Sequence, residues 1–358
     1  MLPKRILHVT SVLNYGGIEN LILGVFKNID REKIVFDFLV IREEDGILEE
    51  EIRSLGGVIH KIPSIKKTGY FGFKKNLKKF FTDNPQYSIV HSHVNTLSGI
   101  VLECAKNCRI PTRIAHSHTA YPKYDFFEGL CKSIFKRKLP KVATDYFACS
   151  DEAGKWLFGN KSNFTVIKNG IDIEKFTFSK GTREKARADL KLENKLVIIN
   201  VGRFSKEKNQ LFLLDILKEL LKVDKNVRLI CVGSGKLKES FEKEISDSSL
   251  QEFVLLTEAT SNVEYFLNAS DVYVSPSLFE GFGSAVAEAQ VNTLPCVLSE
   301  GHPKGVNFTN NCKFLSCKSS AKTWAEKILK SERKNNVSFL EYSIGNTADF
   351  LLNFYFSK

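Results

Sequence analysis

Glu280 and Glu288 stand eight residues apart around a Gly-Phe-Gly hinge, within Ser275-Pro-Ser-Leu-Phe-Glu-Gly-Phe-Gly-Ser-Ala-Val-Ala-Glu-Ala289. The stretch follows a buried-strand pattern, Asp271-Val-Tyr-Val274, and runs into an Ala-rich helical segment. A strand, a glycine turn and a helix start leave backbone N–H groups free, and an anion can sit there. Glu280 falls in the turn and Glu288 a turn or two into the helix, so both can line one ligand. Carboxylates are poor partners for phosphate but good acceptors for hydroxyls. The combination fits a phosphate held by N–H groups with a hydroxyl-bearing ring on each side, which is the chemistry of a nucleotide sugar.

Other chemistry-bearing residues fall where strands are expected to end. Asn14-Tyr-Gly-Gly-Ile-Glu19 follows the first strand and opens a helix. Its paired glycines, Gly16 and Gly17, let the backbone approach a phosphate, or make a plain tight turn. The pattern is not GxGxxG, which disfavours a dinucleotide site and with it an oxidoreductase. Gly202-Arg-Phe-Ser-Lys-Glu-Lys208 follows another strand; Arg203 and Lys208 could hold two phosphates, although many charged loops are merely solvated. Gly233-Ser-Gly235 is a glycine turn compatible with passing under a nucleotide base. Lys168-Asn-Gly-Ile-Asp172 reads as a turn and linker.

His91-Ser-His93 and His116-Ser-His118 each end a strand, and residues two apart share a face. Each pair could ligate a metal, but no set of further ligands can be nominated, so no metal site is expected. Cys104-x3-Cys108 and Cys312-x4-Cys317 lack the CxxC knuckle. His118 reads as the sugar-contacting histidine, while His91 and His93 are equally open to a structural role.

With 358 residues, 43% hydrophobic and 26% charged, the chain can bury two cores of ordinary domain size. The net charge of +11 is uneven: residues 1–170 carry a surplus of nine positive charges and the remainder a surplus of two. One basic half suggests that one domain faces an anionic partner; composition alone leaves nucleic acid, phospholipid and a phosphorylated acceptor open. Lys66–Phe81 interleaves six lysines with aromatics, and Phe126–Lys141 is similar. Such segments suit an anionic membrane surface, or a solvated helix face above a buried Phe stripe. No apolar run reaches the roughly 18–20 residues of a membrane span, and the N-terminus lacks a signal-peptide core. Eight scattered cysteines, including Cys149, Cys231 and Cys296 in apolar contexts, fit reduced thiols in a cytoplasmic protein.

The elements that must position these residues alternate as βα units. Strands are expected at 6–10, 35–41, 58–62, 89–93, 113–116, 146–149 and 165–167, then again at 197–201, 228–232, 254–256, 271–274 and 295–298, with a helix from about Ile18. The restart near the midpoint implies two parallel sheets covered by helices on both faces. The polar stretch 176–194 marks the boundary region, and the tail 339–356 reads as an amphipathic helix broken at Gly345.

Taken in order, these motifs resemble the retaining GT-B glycosyltransferases of family 4, in particular the capsular and exopolysaccharide branch. The likeness runs over nearly the whole chain: Gly16-Gly17-Ile-Glu19, Val90-His-Ser-His93, Ala115-His-Ser-His118, Ala148-Cys-Ser150, Asn169-Gly-Ile-Asp172 with Phe176, Gly202-Arg203, Lys208, Gly233-Ser-Gly235, Pro276-Ser277 and Glu280-Gly-Phe-Gly-x4-Glu288. It implies two Rossmann-like doubly wound domains facing a cleft: an acceptor domain, 1–168 joined by the C-terminal helix 340–358, and a donor domain, 169–339. It departs from the family at Asn209, where glycine is usual, and at Thr257-Glu258, where Leu-Gly is usual.

The implied reaction moves a sugar, with retained configuration, from a nucleotide diphosphate sugar, in this family most often UDP-linked, to a saccharide or polyprenyl-pyrophosphate-linked acceptor in cell-surface polysaccharide synthesis. The resemblance implies that Gly16 and Gly17 approach the donor phosphate and that Arg203 and Lys208 bind the diphosphate with amides near Gly283, Ser284 and Ala285. Gly233 belongs to the nucleotide site. Glu288 accepts from the ribose and Glu280 from the donor sugar, and His118, with His116 as second choice, sits beside the sugar near the reacting centre. No cofactor, no metal and no nucleic-acid partner is expected, since cations and a helix N-terminus can carry the leaving charge and no Asp-x-Asp pair is present. A GT-B sugar-nucleotide epimerase and a non-catalytic membrane-docked assembly subunit are the rivals. The expected location is cytoplasmic, peripheral on the inner membrane face.

Overall fold

The computed structural model describes residues 2–119, 126–160, 163–333 and 340–358, the side chains of 126–132 and 340 excepted. The chain divides into two compact units, Met1–Gly170 with Tyr342–Lys358, and Ile171–Glu341.

Unit 1 is a seven-stranded parallel sheet. Its strands are β1 (Lys4–Thr10), β2 (Ile34–Val40), β3 (Ile59–Lys61), β4 (Ile89–Ser92), β5 (Thr112–Ser117), β6 (Asp145–Ala148) and β7 (Thr165–Val166), in the order β3-β2-β1-β4-β5-β6-β7. The central strands are mostly buried because helices cover both faces of a parallel sheet; β2 is buried along its whole length. The chain leaves β1 toward β2 on one side and returns to β4 on the other, so the carboxyl ends of β1 and β4 flank a topological switch point, where open α/β sheets bind ligands.

The C-terminal helix Ile344–Phe356 belongs to this unit. Ile344, Thr347, Ala348, Leu351 and Tyr355 are buried at helical spacing. Gly170 is small for this reason: a Cβ there would stand 2.6 Å from Ile344 Cα. The tail breaks at Ser343, extended between the 3-10 turn Leu340–Tyr342 and this helix, and not at Gly345. Gly345 is the second residue inside the helix, where the backbone N–H has no intrahelical partner, and Ser343 Oγ accepts that N–H at 3.2 Å. Phe339, expected on the same face, lies outside the described residues.

The lysine-rich stretch is the helix Ile65–Asp83, kinked at Gly69, with Phe73, Leu77, Phe80 and Phe81 buried. Lys74 pairs with Glu103 at 2.8 Å and Lys79 with Asp83 at 2.6 Å, so part of its charge is matched locally. Lys66, Lys67, Lys75, Lys78 and Lys79 are exposed, as is Phe71 at 84%. The second basic segment is the helix Phe126–Val142, where Lys138 also reaches Glu103 at 2.8 Å; the side chains of 126–132 lie outside the description. No helix among the described residues is long and apolar enough to cross a membrane.

Unit 2 repeats the plan with β8 (Leu196–Val201), β9 (Val227–Val232), β10 (Val254–Thr257), β11 (Val272–Ser275), β12 (Cys296–Ser299) and β13 (Cys312–Leu315), all parallel, in the order β10-β9-β8-β11-β12-β13. Its switch point lies between β8 and β11. The helix Leu211–Val223 buries Leu213, Leu214, Ile216, Leu217, Leu220 and Leu221 against the sheet. Strand β13 was not expected; its half-buried Cys-Lys-Phe-Leu at the sheet edge carries no clear alternation. The polar stretch 176–194 holds a helix, Lys180–Asp189, whose Arg183 and Arg187 reach Asp271 at 2.5 and 3.3 Å.

Candidate active site

In unit 2 the expected residues follow the carboxyl ends of β8, β9 and β11. Lys208 Nζ pairs directly with Glu280 Oε1, linking the loop after β8 to the loop after β11. Ser277 Oγ donates to the same carboxylate oxygen at 2.9 Å. Burial pushes the Glu280 carboxyl upward, but the charges of Lys208 and His302 and the hydrogen bonds from Lys208 and Ser277 outweigh it and hold the group below its ordinary value. Arg203 lies on the same loop, yet its side chain is exposed; its carbonyl accepts Gln210 Nε2 at 2.8 Å. The structure therefore joins Lys208 to Glu280 and leaves Arg203 facing solvent.

Gly283, with φ 88, caps the helix Ser284–Val291. Such a φ is cheap only for glycine. Val286 and Ala287 N–H donate to Gly283 O at 2.9 and 3.1 Å, while the N–H groups of Ser284 and Ala285, at the positive end of the helix dipole, have no intrahelical acceptors. Glu288, farther along this helix, has different electrostatic neighbours from Glu280. Burial pushes its carboxyl up to about 8; Lys175 lowers it and Glu264 raises it. Buried Tyr273 on β11 feels both carboxylates, Glu280 more strongly.

The glycine turn after β9 has a packing reason. A Cβ on Gly233 (φ 156) would stand 2.1 Å from Gly202 O, and one on Gly235 (φ 148) 2.5 Å from Phe204 O. The two glycines let this turn press against the Arg203 loop, a reason separate from any approach to a base. Asn209, the departure from glycine, has φ 54 and so occupies the left-handed region that asparagine tolerates; its Nδ2 donates to Pro276 O at 3.3 Å. Glu258 is exposed and pairs with Lys238.

His302 was missed in the sequence. It is buried after β12, with Nε2 3.9 Å from Glu280 Oε1, and burial lowers its ring to about 4. The Gly-His-Pro turn at a strand's carboxyl end was the available signal.

In unit 1 the two His-x-His pairs and His8 on β1 make one buried ladder. His8 Nδ1 meets His93 Nε2 at 3.0 Å, and His93 Nδ1 meets His118 Nε2 at 2.8 Å. His91 Nε2 meets His116 Nδ1 at 3.1 Å, and Tyr355 OH lies 2.6 Å from His91 Nδ1. Burial keeps all five rings neutral, with His8 and His118 lowered to about 3 and His91, His93 and His116 well below their ordinary value. Two triads, His8 with His91 and His93, and His93 with His116 and His118, bring nitrogens within 4.8 Å. The contacts are hydrogen-bond lengths, shorter than the about 3.3 Å that separates two ligands of one tetrahedral zinc.

His118 N–H donates to Asn95 Oδ1 at 3.2 Å, which fixes the strand end. Beside His93 and Asn95 opens a cavity of about 210 Å³, also lined by Thr10, Ser11 and Glu19. Gly16 precedes the helix Gly17–Asn28 in extended conformation (φ −164) and gives it no side-chain cap.

Known proteins resemble this chain in sequence and in fold. The profile described as Glycosyl transferases group 1 matches residues 182–342. EpsF of Bacillus subtilis (strain 168), named as a glycosyltransferase, is 30% identical over 369 residues, covering 98% of this chain and 96% of its own. The chain belongs to the group 1 glycosyltransferases. The capsular polysaccharide biosynthesis glycosyltransferase CapH of Staphylococcus aureus is 27% identical over 99% of both chains. The Escherichia coli UDP-Gal:alpha-D-GlcNAc-diphosphoundecaprenol alpha-1,3-galactosyltransferase is 27% identical over 82% of this chain and 79% of its own. Among solved structures, Anabaena Alr3699/HepE in complex with UDP-glucose has a TM-score of 0.74 at 17% identity, covering 98% of this chain and 94% of that one. The fold is that of a GT-B glycosyltransferase.

Proposed function

We propose that this glycosyltransferase takes its sugar from a UDP-sugar and passes it, with retained configuration and without a divalent ion, to a saccharide or polyprenyl-diphosphate-linked acceptor in cell-surface polysaccharide synthesis. The observation that carries the donor reading is the Lys208–Glu280 pair beside the Gly283-capped helix: a cation, a carboxylate and a helix N-terminus where the loops after β8 and β11 meet. The names of CapH and of the galactosyltransferase support the pathway class, the donor and the lipid-linked acceptor.

Breaking the anomeric bond builds positive charge on the sugar and negative charge on the departing diphosphate. Lys208, Arg203 and the amides of Ser284 and Ala285 stabilise the latter, and Gly16 and Gly17 let the backbone approach its phosphate. Glu280 accepts a hydroxyl of the sugar and Glu288 those of the ribose; His118, or His116 as second choice, is the histidine beside the sugar. The acceptor oxygen attacks from the face the diphosphate leaves. Its proton passes to the departing phosphate oxygen, so no separate base is needed.

The test is product analysis by NMR with UDP-glucose, UDP-galactose and UDP-N-acetylglucosamine, a lipid-linked acceptor and EDTA. A product of unchanged anomeric configuration, formed in EDTA, supports the reading. An inverted product or full loss of turnover in EDTA contradicts it, and interconversion of UDP-sugars without acceptor favours an epimerase. Exposed Phe71 and the exposed lysines of the helix Ile65–Asp83 support docking at an anionic membrane face. Neutralising Lys74, Lys75, Lys78 and Lys79 should reduce co-sedimentation with anionic vesicles, and unchanged sedimentation would count against it.

A further inference from the structure

The loop after β12 is locked against the turn that carries Glu280. Glu280 N–H donates to Gly301 O at 2.9 Å, and a Cβ on Gly301 would stand 2.4 Å from Leu278 O. This seats His302, whose side chain is fully buried, with Nε2 toward Glu280.

The tautomer of His302 follows from its neighbours. Its Nδ1 lies 3.3 Å from Ser299 O and 3.4 Å from Ser299 Oγ. A carbonyl only accepts, and Ser299 Oγ spends its hydrogen on Ser277 O. Nδ1 therefore carries the proton in the neutral ring. Nε2 is left as a lone pair, buried and without a partner among the described residues. It faces Glu280 Oε1, itself an acceptor, and the 3.9 Å gap between them holds no hydrogen bond.

We propose that His302 is a positioning residue for Glu280: when the donor's diphosphate draws Lys208 away, His302 Nε2 takes a proton from solvent and replaces the lysine as hydrogen-bond donor to the carboxylate. The inference rests on the reading of Lys208 as a diphosphate ligand and Glu280 as a sugar ligand. Without a replacement, Glu280 would lose its main counter-charge as the substrate arrives. With one, the carboxylate stays fixed toward the sugar.

The charged groups acting on His302 are Glu280, which favours its protonation, and Lys208, which opposes it; burial dominates both and holds the ring at about 4 in the free chain. Tyr273, buried beside Glu280, is pushed further toward its neutral form. Donor binding moves the Lys208 charge away from Glu280 and brings in the negative diphosphate, and both changes raise the proton affinity of His302. The complex then binds a proton that the free chain does not. Donor affinity should accordingly rise as pH falls, by up to tenfold per pH unit between the two proton affinities of the ring.

The experiment uses the full chain with 15N-labelled histidine and UDP-glucose, UDP-galactose and UDP-N-acetylglucosamine in turn, whose diphosphates have no group titrating near neutrality. The His302 ring is assigned from the resonance lost in His302→Gln. The expected spectrum shows Nδ1–H with a bare Nε2 in the free chain, and both nitrogens protonated with donor bound. The donor dissociation constant of His302→Gln relative to the native chain should grow as pH falls from 8 to 6, a ratio that cancels other titrating groups. A His302 ring still neutral with donor bound, or a flat ratio, overturns the inference while leaving the donor reading intact. Failure of all three sugars to bind overturns the donor reading and this inference with it.

Discussion

The carboxyl of Glu288 should cost the free chain stability, and replacing it by glutamine should recover that stability. Burial moves it from 4.5 to about 8. Below pH 4.5 the folded and unfolded states both hold the proton, and the group contributes nothing. Above it the unfolded chain ionises while the folded chain keeps its proton, so stability falls with rising pH until the folded group ionises near 8. The slope is about 1.4 kcal/mol per pH unit, which gives a loss of about 3 kcal/mol at pH 7 and under about 1 kcal/mol at pH 5. Glutamine matches the neutral acid in shape and cannot ionise. Glu288→Gln should therefore stay within about 1 kcal/mol of the native chain at pH 5 and exceed it by about 3 kcal/mol at pH 7. The assay is urea unfolding between pH 5 and 8 in a Trp156→Phe background, where Trp324, buried in unit 2, is the remaining tryptophan. A stability difference that does not change with pH, or a native chain more stable at pH 7, would refute the reasoning.

Exchanging Arg203 and Lys208 together for alanine should lower turnover by orders of magnitude, seen in initial rates at saturating donor; near-normal turnover would remove both from the site. Gly233→Ala forces a Cβ to 2.1 Å from Gly202 O and should cost about 2–4 kcal/mol in urea unfolding, with weaker donor binding because the Arg203 loop must shift. Tyr355→Phe removes the hydroxyl 2.6 Å from His91 Nδ1. Stranding that buried nitrogen should lower the stability of unit 1 by about 1–3 kcal/mol, read at Trp156. A change under about 0.5 kcal/mol would mean the ladder finds another partner.

Much of the fold could be read from the chain because a parallel sheet writes its strands as apolar runs bounded by turns. All the central strands fell within a residue or two of their expected ends. Strand β13, half-buried at an edge, and the helix Lys180–Asp189, which buries only Ala186, lacked that contrast. Gly345 looked like a breaker because a helix's second position tolerates glycine, and composition does not reveal position. For the candidate site, spacing marked Glu280, Glu288, Gly283 and the His-x-His pairs. It could not show that Lys208 pairs with Glu280, that Glu288 lies nearer Lys175 and Glu264, or that His302 closes the cluster from a fourth loop. Those are contacts between segments distant in sequence, set by the order of strands in the sheet. Asn209 looked like a departure until its φ showed it filling the place glycine would take.

The most direct test is a crystal structure of the chain with UDP-glucose, UDP-galactose or UDP-N-acetylglucosamine. The diphosphate is expected at Lys208 and the amides of Ser284 and Ala285, with Lys208 parted from Glu280, a sugar hydroxyl on Glu280 and the ribose on Glu288. A bound nucleotide sugar lying elsewhere, with the Lys208–Glu280 pair still closed, would contradict the account.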